Sequence, residues 1–355
     1  MAFDVIIQVD GETSDDLISS SALVEVCERI GEPTTYRIEF PLSIVDNDFP
    51  LLVDGKLGPG SELTIAAAVD DKADVLCIGQ VYGQRIHLEH NVDGSRVFVL
   101  GGDKTFEMDR TIVKKVWTGV KVSDAISNIL GPYVDEVKID AIDSKYDDKS
   151  HELVQCETDL RFVRRLAKRY GYWFRIAADS DANTTAYFQR PALDGDPVAT
   201  IAINQGPDDS QLDELEIEWD IERPAVVTGD QLPLRSKDTF SGDLDRSPLV
   251  PLGALAFGDI ATNQKQVRLV APMDDAGDFK ARSEAALIDG GWFIRARGVV
   301  TARSLKAVLH AHAVVQLNGV GTRHSGKYVV SSIRHVFDVD NHKMHFELIR
   351  NAWEA

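Results

Sequence analysis

Short apolar alternations, broken by turn residues, govern what this chain can become. Residues 3–9 place Phe3, Val5, Ile7 and Val9 on one face of an extended segment. Residues 35–40, 62–69, 75–81, 84–89 and 95–100 repeat the pattern at short intervals. A period of two belongs to a strand with one buried face. Asp54 with Gly55, Gly58 to Gly60, and Asp93 with Gly94 punctuate these runs. Tyr82 and Gly83 are expected to turn one strand into the next as a hairpin. Many short strands so spaced predict an antiparallel barrel or sandwich.

The texture changes after Leu100. Residues 122–130 read as a short helix, with Ser123 as N-cap and Gly131 and Pro132 as the stop. Residues 158–170 read as a clearer one. Thr158 can cap the free amides, Leu160, Val163, Ala167 and Tyr170 share a face with Phe162 and Leu166, and Gly171 supplies a left-handed C-cap. Residues 172–177 and 184–190 follow as strands. A further strand is expected at 212–219, where Glu214, Glu216 and Glu218 alternate with apolar residues. A third helix is expected at 278–289, and strands at 293–300, 312–317, 327–339 and 343–350. The Gly-, Pro-, Asp- and Ser-rich stretch 228–258 reads as a long surface loop.

At 355 residues the chain suffices for two to three domains. The expected class is β-rich α+β. A barrel-like β domain spans 1–105, a small α+β domain 106–208, and a second barrel-like β domain 209–355, carrying one helix and the 228–258 loop.

The formal charge of −19 argues against a nucleic-acid binder or a protein held on an anionic membrane, since both need clustered cations. No run of 18 apolar residues is present, and the N-terminus lacks the basic region of a signal peptide. Cys27, Cys77 and Cys156 are far apart and read as small buried hydrophobes of a reducing cytosol.

Catalytic signatures are missing: no GxSxG, HExxH, GxxxxGK[ST] or strand-borne GxGxxG occurs. His151 and Glu152 open an HExxH pattern that Gln155 breaks. His310 with His312, and His342 with His345, near His335, have spacings seen in metal sites, but hydrogen-bonded surface histidines are the simpler expectation. The pairs Asp70–Asp71, Asp147–Asp148, Asp208–Asp209 and Asp274–Asp275 read as turn chemistry. No catalytic, cofactor or metal residue is therefore assigned. Arg161, Arg164, Arg165, Lys168 and Arg169 form the one basic patch in an acidic chain, and are the candidate contact for an acidic copy or partner.

The segment 151–174 carries Gln155, Glu157, Thr158, Asp159, Phe162, Arg165, Leu166, Gly171, Tyr172 and Phe174. In that order they resemble the signature of contractile-tail hub proteins: the phage late control protein D family and the N-terminal hub portion of VgrG from type VI secretion. Gly102 and Asp103 followed by Trp117, Thr118 and Gly119 resemble that family's entry into its middle domain. Gly326 to His335 with residues 344–350 resemble its closing hairpin. The resemblance spans roughly residues 75–350.

The resemblance implies a non-enzymatic baseplate hub. Such hubs are trimers in which each chain supplies two barrel-like domains, so that a ring of near six-fold symmetry adapts a hexameric tail tube to a trimeric spike. The implied partners are two further copies, the tail tube protein, a separate spike protein (since this chain stops at Ala355) and other baseplate subunits. No cofactor, membrane insertion or sequence-specific nucleic-acid binding is implied. The protein would be made in the bacterial cytoplasm and assembled into the baseplate of a phage tail or phage-tail-like particle. An acidic lumen, with residues 212–219 as its exposed acidic strand, would repel polyanionic cargo. The competing expectations are a β-rich hydrolase using 228–258, and a receptor- or carbohydrate-binding tail module.

Overall fold

The computed structural model describes the chain except residues 1–4, 47, 54, 70–71, 91–93, 143, 145, 147–151, 207–208, 232–239, 261–263, 270–275, 339–340 and 355, and the side chains of 69, 72, 230–231, 240–241 and 276. The first third contains β1 (Val5–Val9), β2 (Glu12–Thr13), α1 (Asp15–Ser20), β3 (Leu23–Arg29), β4 (Thr35–Pro41), α2 (Pro50–Val53), β5 (Glu62–Val69), β6 (Lys72–His87) and β7 (Arg96–Gly102). The middle holds α3 (Thr105–Met108), β8 (Ile112–Trp117), α4 (Val122–Leu130), β9 (Glu136–Ile139), β10 (Leu153–Thr158), α5 (Asp159–Tyr170), β11 (Trp173–Ala178) and β12 (Thr184–Gln189). The last part runs β13 (Thr200–Ala202), β14 (Leu215–Trp219), β15 (Pro224–Gln231), β16 (Phe240–Leu244), β17 (Leu255–Ala256), α6 (Phe257–Ile260), β18 (Lys265–Arg268) and α7 (Ala276–Gly291). It closes with β19 (Ile294–Thr301), α8 (Ala302–Leu305), β20 (Val314–Asn318), β21 (Gly326–Phe337), β22 (His342–Arg350) and β23 (Ala352–Trp353). The molecule is thus β-rich with few helices.

One sheet joins the two ends of the chain, in the order β14-β19-β22-β21-β3-β4-β7-β6-β5-β1-β2. Its seam is the antiparallel pairing of β21 with β3, from Ser332 opposite Arg29 to Phe337 opposite Val24. Alternation decides the faces. Val24, Val26, Tyr36, Ile38, Val97 and Val99 point into one apolar core with β1 and β5, while Ala296, Ile333, Met344, Phe346 and Leu348 point into another. The middle segment closes a third core, where Leu160, Phe162, Val163 and Leu166 of α5 meet Ile126 and Leu130 of α4. Trp173 stacks on Trp292 at 5.8 Å and ties the middle core to the last.

Several expectations need correction. Tyr82 and Gly83 do not make a hairpin. β6 is one strand of 16 residues, bent at a bulge between Val81 and Gly83. It pairs with β5 before the bend and β7 after it, and a bulge lets one strand serve two directions. The Gly79 position explains part of the path: a Cβ there would lie 1.8 Å from the Gly102 carbonyl oxygen. Ser123 is not the cap of α4. Lys121 occupies that position without a side-chain cap, and Val122 turns inward. The stretch 228–258 is not one loop, because β16 and β17 fall within it, with the end of β15 and the start of α6. β3, β8 and β10 were not anticipated at all. Polar and charged residues interrupt their apolar alternation, Lys114 and Lys115 in β8 and Gln155 and Glu157 in β10, and in β3 Glu28 sits on the buried face.

Candidate functional site

The α5 helix forms as its sequence requires. The Thr158 Oγ1 accepts from the Arg161 amide at 3.4 Å, and Gly171 takes φ of 68°. A Cβ on Gly171 would also meet the Ala285 Cα at 2.9 Å, so this glycine serves both the turn and the approach of α7. The five cations of this helix have different neighbours. Arg169 turns inward and meets Asp278 of α7 at 2.7 Å, and Arg282 holds the same carboxylate. Arg165 pairs with Glu157 at 2.7 Å and donates to the Val154 carbonyl at 3.2 Å. Arg161 lies 3.5 Å from Asp109. Arg164 lines a cavity at the junction of the three cores, and Lys168 is exposed.

That junction holds a polar cluster. Glu28 of β3 accepts from His310 Nδ1 at 3.0 Å and from the Ala311 amide at 3.1 Å. His310 Nε2 meets Asp74 of β6 at 3.0 Å. On the other side His335 Nε2 lies 3.6 Å from Glu28, and His335 Nδ1 is 3.0 Å from His342 Nε2. One tautomer satisfies this chain: His342 Nε2–H donates to His335 Nδ1, leaving the His335 Nε2–H directed at the carboxylate. The cluster links the first third (Glu28, Asp74) to the last (His310, His335, His342). Beside it lies a cavity of about 260 Å³, lined by Asp103, Arg175 and His312 among others.

The charges follow from these contacts. Burial alone would raise Glu28, but the charge and hydrogen bond of His310 and the hydrogen bond of His335 hold it well below the carboxylate range. Burial alone would lower His310, but the Glu28 charge and its own hydrogen bonds to Asp74 and Glu28 push it up to about 10. Burial takes His342 down to about 3, helped by His335. Burial, with Arg175 alongside, does the same to His312. His335 is lowered by burial, with Glu28 opposing.

A pH profile follows. His342 and His312 take up protons near 6.5 when unfolded and near 3 when folded. The unfolded chain therefore binds more protons in that window, and stability falls as pH drops through it. His310 reverses the sign. Its contribution is complete below 6.5 and is lost as pH rises towards 10. Melting temperature is expected to peak near pH 6.5 and fall on both flanks, the alkaline flank disappearing in His310→Phe. A wild-type profile flat from pH 7 to 10 contradicts the assignment.

The histidine pairs that spacing singled out do not converge as pairs, although His310, His335 and His342 gather around Glu28. His310 and His312 have separate partners, and His342 and His345 lie on opposite faces of β22. Neither are they surface residues, since His335 and His342 are buried. Among the described residues no group of three His, Cys, Asp or Glu side chains is arranged to hold a metal ion. The acidic pairs fall on undescribed residues, apart from Asp209. His151 of the broken HExxH pattern lies outside the described residues too. Of the cysteines only Cys77 is buried, while Cys156 is exposed and Cys27 half-buried. Glu28, the centre of the cluster, was legible only as a lone acid; its partners lie up to 307 positions along the chain.

The outer face of the sheet, opposite the cores, is laced with ion pairs. Arg297 bridges Glu347 at 2.9 Å and Glu218 at 3.1 Å. Glu25 meets Arg37 at 3.2 Å and Arg334 at 3.5 Å, and Glu39 meets Arg37 at 3.3 Å and Arg96 at 3.5 Å. The expected acidic strand is therefore part of a mixed ladder, because Glu218 faces an arginine of the neighbouring strand.

Eight strands of the sheet share this face: β14, β19, β22, β21, β3, β4, β7 and the second half of β6. Each is antiparallel to the next. The set has two unpaired edges among the described residues: β14 beyond β19, and β6 from Tyr82 to His87, after β5 has left it. Apolar side chains stay exposed at both, Trp219 and Ile221 at one, Ile86 and Leu88 at the other.

Comparison with known proteins places this architecture. Residues 4–338 match the family model described as the Alg8 N-terminal domain. A search of curated proteins finds no match. Among solved structures, the tail protein of Neisseria meningitidis MC58 superposes with a TM-score of 0.69 at 15% identity, over 99% of this chain and 97% of that one. The 43 kDa tail protein of prophage MuSo2 from Shewanella oneidensis gives 0.67 at 12%, over 99% of both. The E. coli c3393 protein, a component of the type VI secretion system, gives 0.59 at 14%, over 97% of this chain and 76% of that one. The shared fold is that of phage tail proteins.

Proposed function

The chain belongs to the Alg8 N-terminal domain family, and from its tail-protein fold we propose that it is a structural, non-enzymatic hub of a contractile tail or injection machine, of the late control protein D kind. Three copies close into a ring. A hexameric tail tube stacks on one side and a trimeric spike on the other, with further baseplate subunits around it. Segments 1–105 and 209–355 are its two barrel-like tube domains, and 106–208 is the domain between them.

The two free edges of the eight-strand face carry the proposal. Exposed edge strands are templates for pairing with another chain, and a closed ring removes them. Because the strand number is even and every pairing antiparallel, the β6 edge of one copy meets the β14 edge of the next in the antiparallel sense as well. Joining them also brings Ile86 and Leu88 of one copy against Trp219 of its neighbour, covering apolar groups that each copy leaves exposed. The face divides at the β21–β3 seam into two four-stranded halves, one from each end of the chain. Three copies then present six such halves, which suits a six-fold partner. The ion-paired outer face would line the channel as a wall of alternating charge.

The test is self-association. Wild-type protein is expected to show a mass three times 39.2 kDa by light scattering, alone or with its spike, and three-fold rings in electron micrographs. Ile86→Lys combined with Leu88→Lys should leave a folded monomer, its stability changed by about 0.5 kcal/mol or less because both sites are exposed. Rings that persist in this variant rule out the β6 edge as the joint.

A further inference from the structure

The β8–β10 pair is a separate two-stranded sheet, and its outer face is uncovered. Register places Val116 opposite Val154 and Lys114 opposite Cys156 on that face, with Ile112 at its end. Ile112, Val116 and Val154 are 66%, 48% and 42% exposed. The inner face packs on the middle core at its Leu153, Gln155 and Trp117 positions. Trp117 donates to Gln155 at 3.1 Å, Gln155 donates to Asp159 at 2.6 Å, and Leu153 is buried. Apolar exposure on the outer face is thus not needed to close the middle core.

The two edges of this ribbon differ. On β10, the Arg165 guanidinium already occupies the Val154 carbonyl. On β8, no strand among the described residues pairs with the side away from β10. The same strand carries the local charge. Among the described residues Lys114 and Lys115 meet no carboxylate, and Lys115 lies 3.5 Å from the Trp117 ring centre. In a chain of net charge −19 this strand is a local positive site.

We propose that the ribbon is a docking site for a different protein, which adds an extended segment of alternating acidic and apolar residues along the open edge of β8. Strand addition supplies main-chain hydrogen bonds, and alternate side chains supply selectivity. Here apolar side chains of the guest would extend the Ile112 and Val116 face, its carboxylates would meet Lys115 on the other face, and Lys114 adds to the local positive charge. The choice of a different protein over a second copy rests on the ring reading above, in which copies meet through β6 and β14 and leave this sheet unused.

Two blocked synthetic octapeptides test the site by calorimetry against the full chain, one alternating Val and Glu and the other Val and Lys. The Val/Glu peptide is expected to bind saturably, one per chain, and more weakly as salt rises. The Val/Lys peptide should not bind. Ile112→Asp with Val116→Asp, and independently Lys114→Glu with Lys115→Glu, should each weaken binding at least tenfold while circular dichroism and ring formation stay unchanged. Absent binding of the acidic peptide, equal binding of both peptides, or binding untouched in both variants overturns the proposal. Loss of self-association in these variants also overturns it and makes the ribbon a contact between copies, a result separable from failure of the ring itself, which the β6 variant reads.

Discussion

Replacing Glu28 with alanine is expected to destabilise the fold by about 3–5 kcal/mol, the range for removing one partner of a buried charge pair. The carboxylate accepts from His310 and from the Ala311 amide, and faces His335. Without it the Ala311 N–H is left without its acceptor in a buried position, which by itself costs about 1–3 kcal/mol. The His310 ring keeps only Asp74, whose side chain is 47% exposed. Water screens that remaining pair, so it recovers little. Chemical denaturation at pH 7 measures the loss. Glu28→Gln separates charge from shape: it retains an acceptor for Ala311 but removes the charge that sustains the His310 imidazolium. Its loss should be smaller, and its stability should fall less steeply between pH 6.5 and 10 than that of the wild type. A Glu28→Ala protein as stable as the wild type would mean the cluster contributes nothing to joining the two ends of the chain.

The two kinds of structure in this protein differ in how far sequence reveals them. α5 was legible to the residue because everything that makes it is local. Thr158 caps, the apolar positions fall within one turn of each other, and Gly171 adopts φ of 68°. β4, β5 and β12 were legible for the same reason, through plain alternation. β3 was missed because its buried face reads Val24, Val26, Glu28, and an acid at a core position looks like a strand's end until His310, 282 positions away, is known to lie against it. The bend in β6 was read as a turn because Gly83 is a turn residue, although here it follows a bulge that hands the strand from β5 to β7.

The candidate contacts show the same limit. A run of five cations on one helix appears uniform in sequence. In three dimensions the identity of the neighbouring element decides each one's role: Arg169 meets Asp278 of α7, Arg165 caps the β10 edge, and Lys168 meets solvent. The strand edges that carry the ring proposal are properties of topology, namely which strands lack a neighbour. Alternation marks a strand but not its rank in a sheet. What the motif at 155–174 captures is the capped helix and its aromatic exit, a folding unit, and this is why it indicates fold more sharply than it indicates any contact residue.

Arg350→Met is expected to cost about as much as the loss of Glu28, roughly 3–5 kcal/mol, and to act at the other end of β22 from His342. Arg350 is fully buried. Its guanidinium donates to the carbonyls of Ser325 at 3.1 Å, Arg323 at 3.3 Å and Leu252 at 3.0 Å, pairs with Glu354 at 2.6 Å, and lies over the Tyr328 ring. Gly253 and Gly326 make room for it, since a Cβ on either would come within 2.7 Å of its Nη2. Methionine keeps the stem but takes the guanidinium from the Ser325 and Leu252 carbonyls and the Glu354 carboxylate, and leaves the Arg323 carbonyl only the Glu354 amide at 3.5 Å. Lysine restores a charge, but a point donor cannot reach acceptors on several sides, so it should recover less than half of the loss. The consequence should be local before it is global. The chain beyond Arg350 holds Trp353, which packs edge-on against Trp219 at the end of β14 and against Phe293. Releasing that tail frees the strand proposed to receive the next copy. Arg350→Met should therefore show faster protease cleavage near residues 250–256 and after 350, and weaker ring formation, at temperatures where the rest of the sheet is intact. Cleavage and association equal to wild type, with the melting temperature unchanged, would show that these carbonyls find other donors and that the tail is held by its aromatic contacts alone.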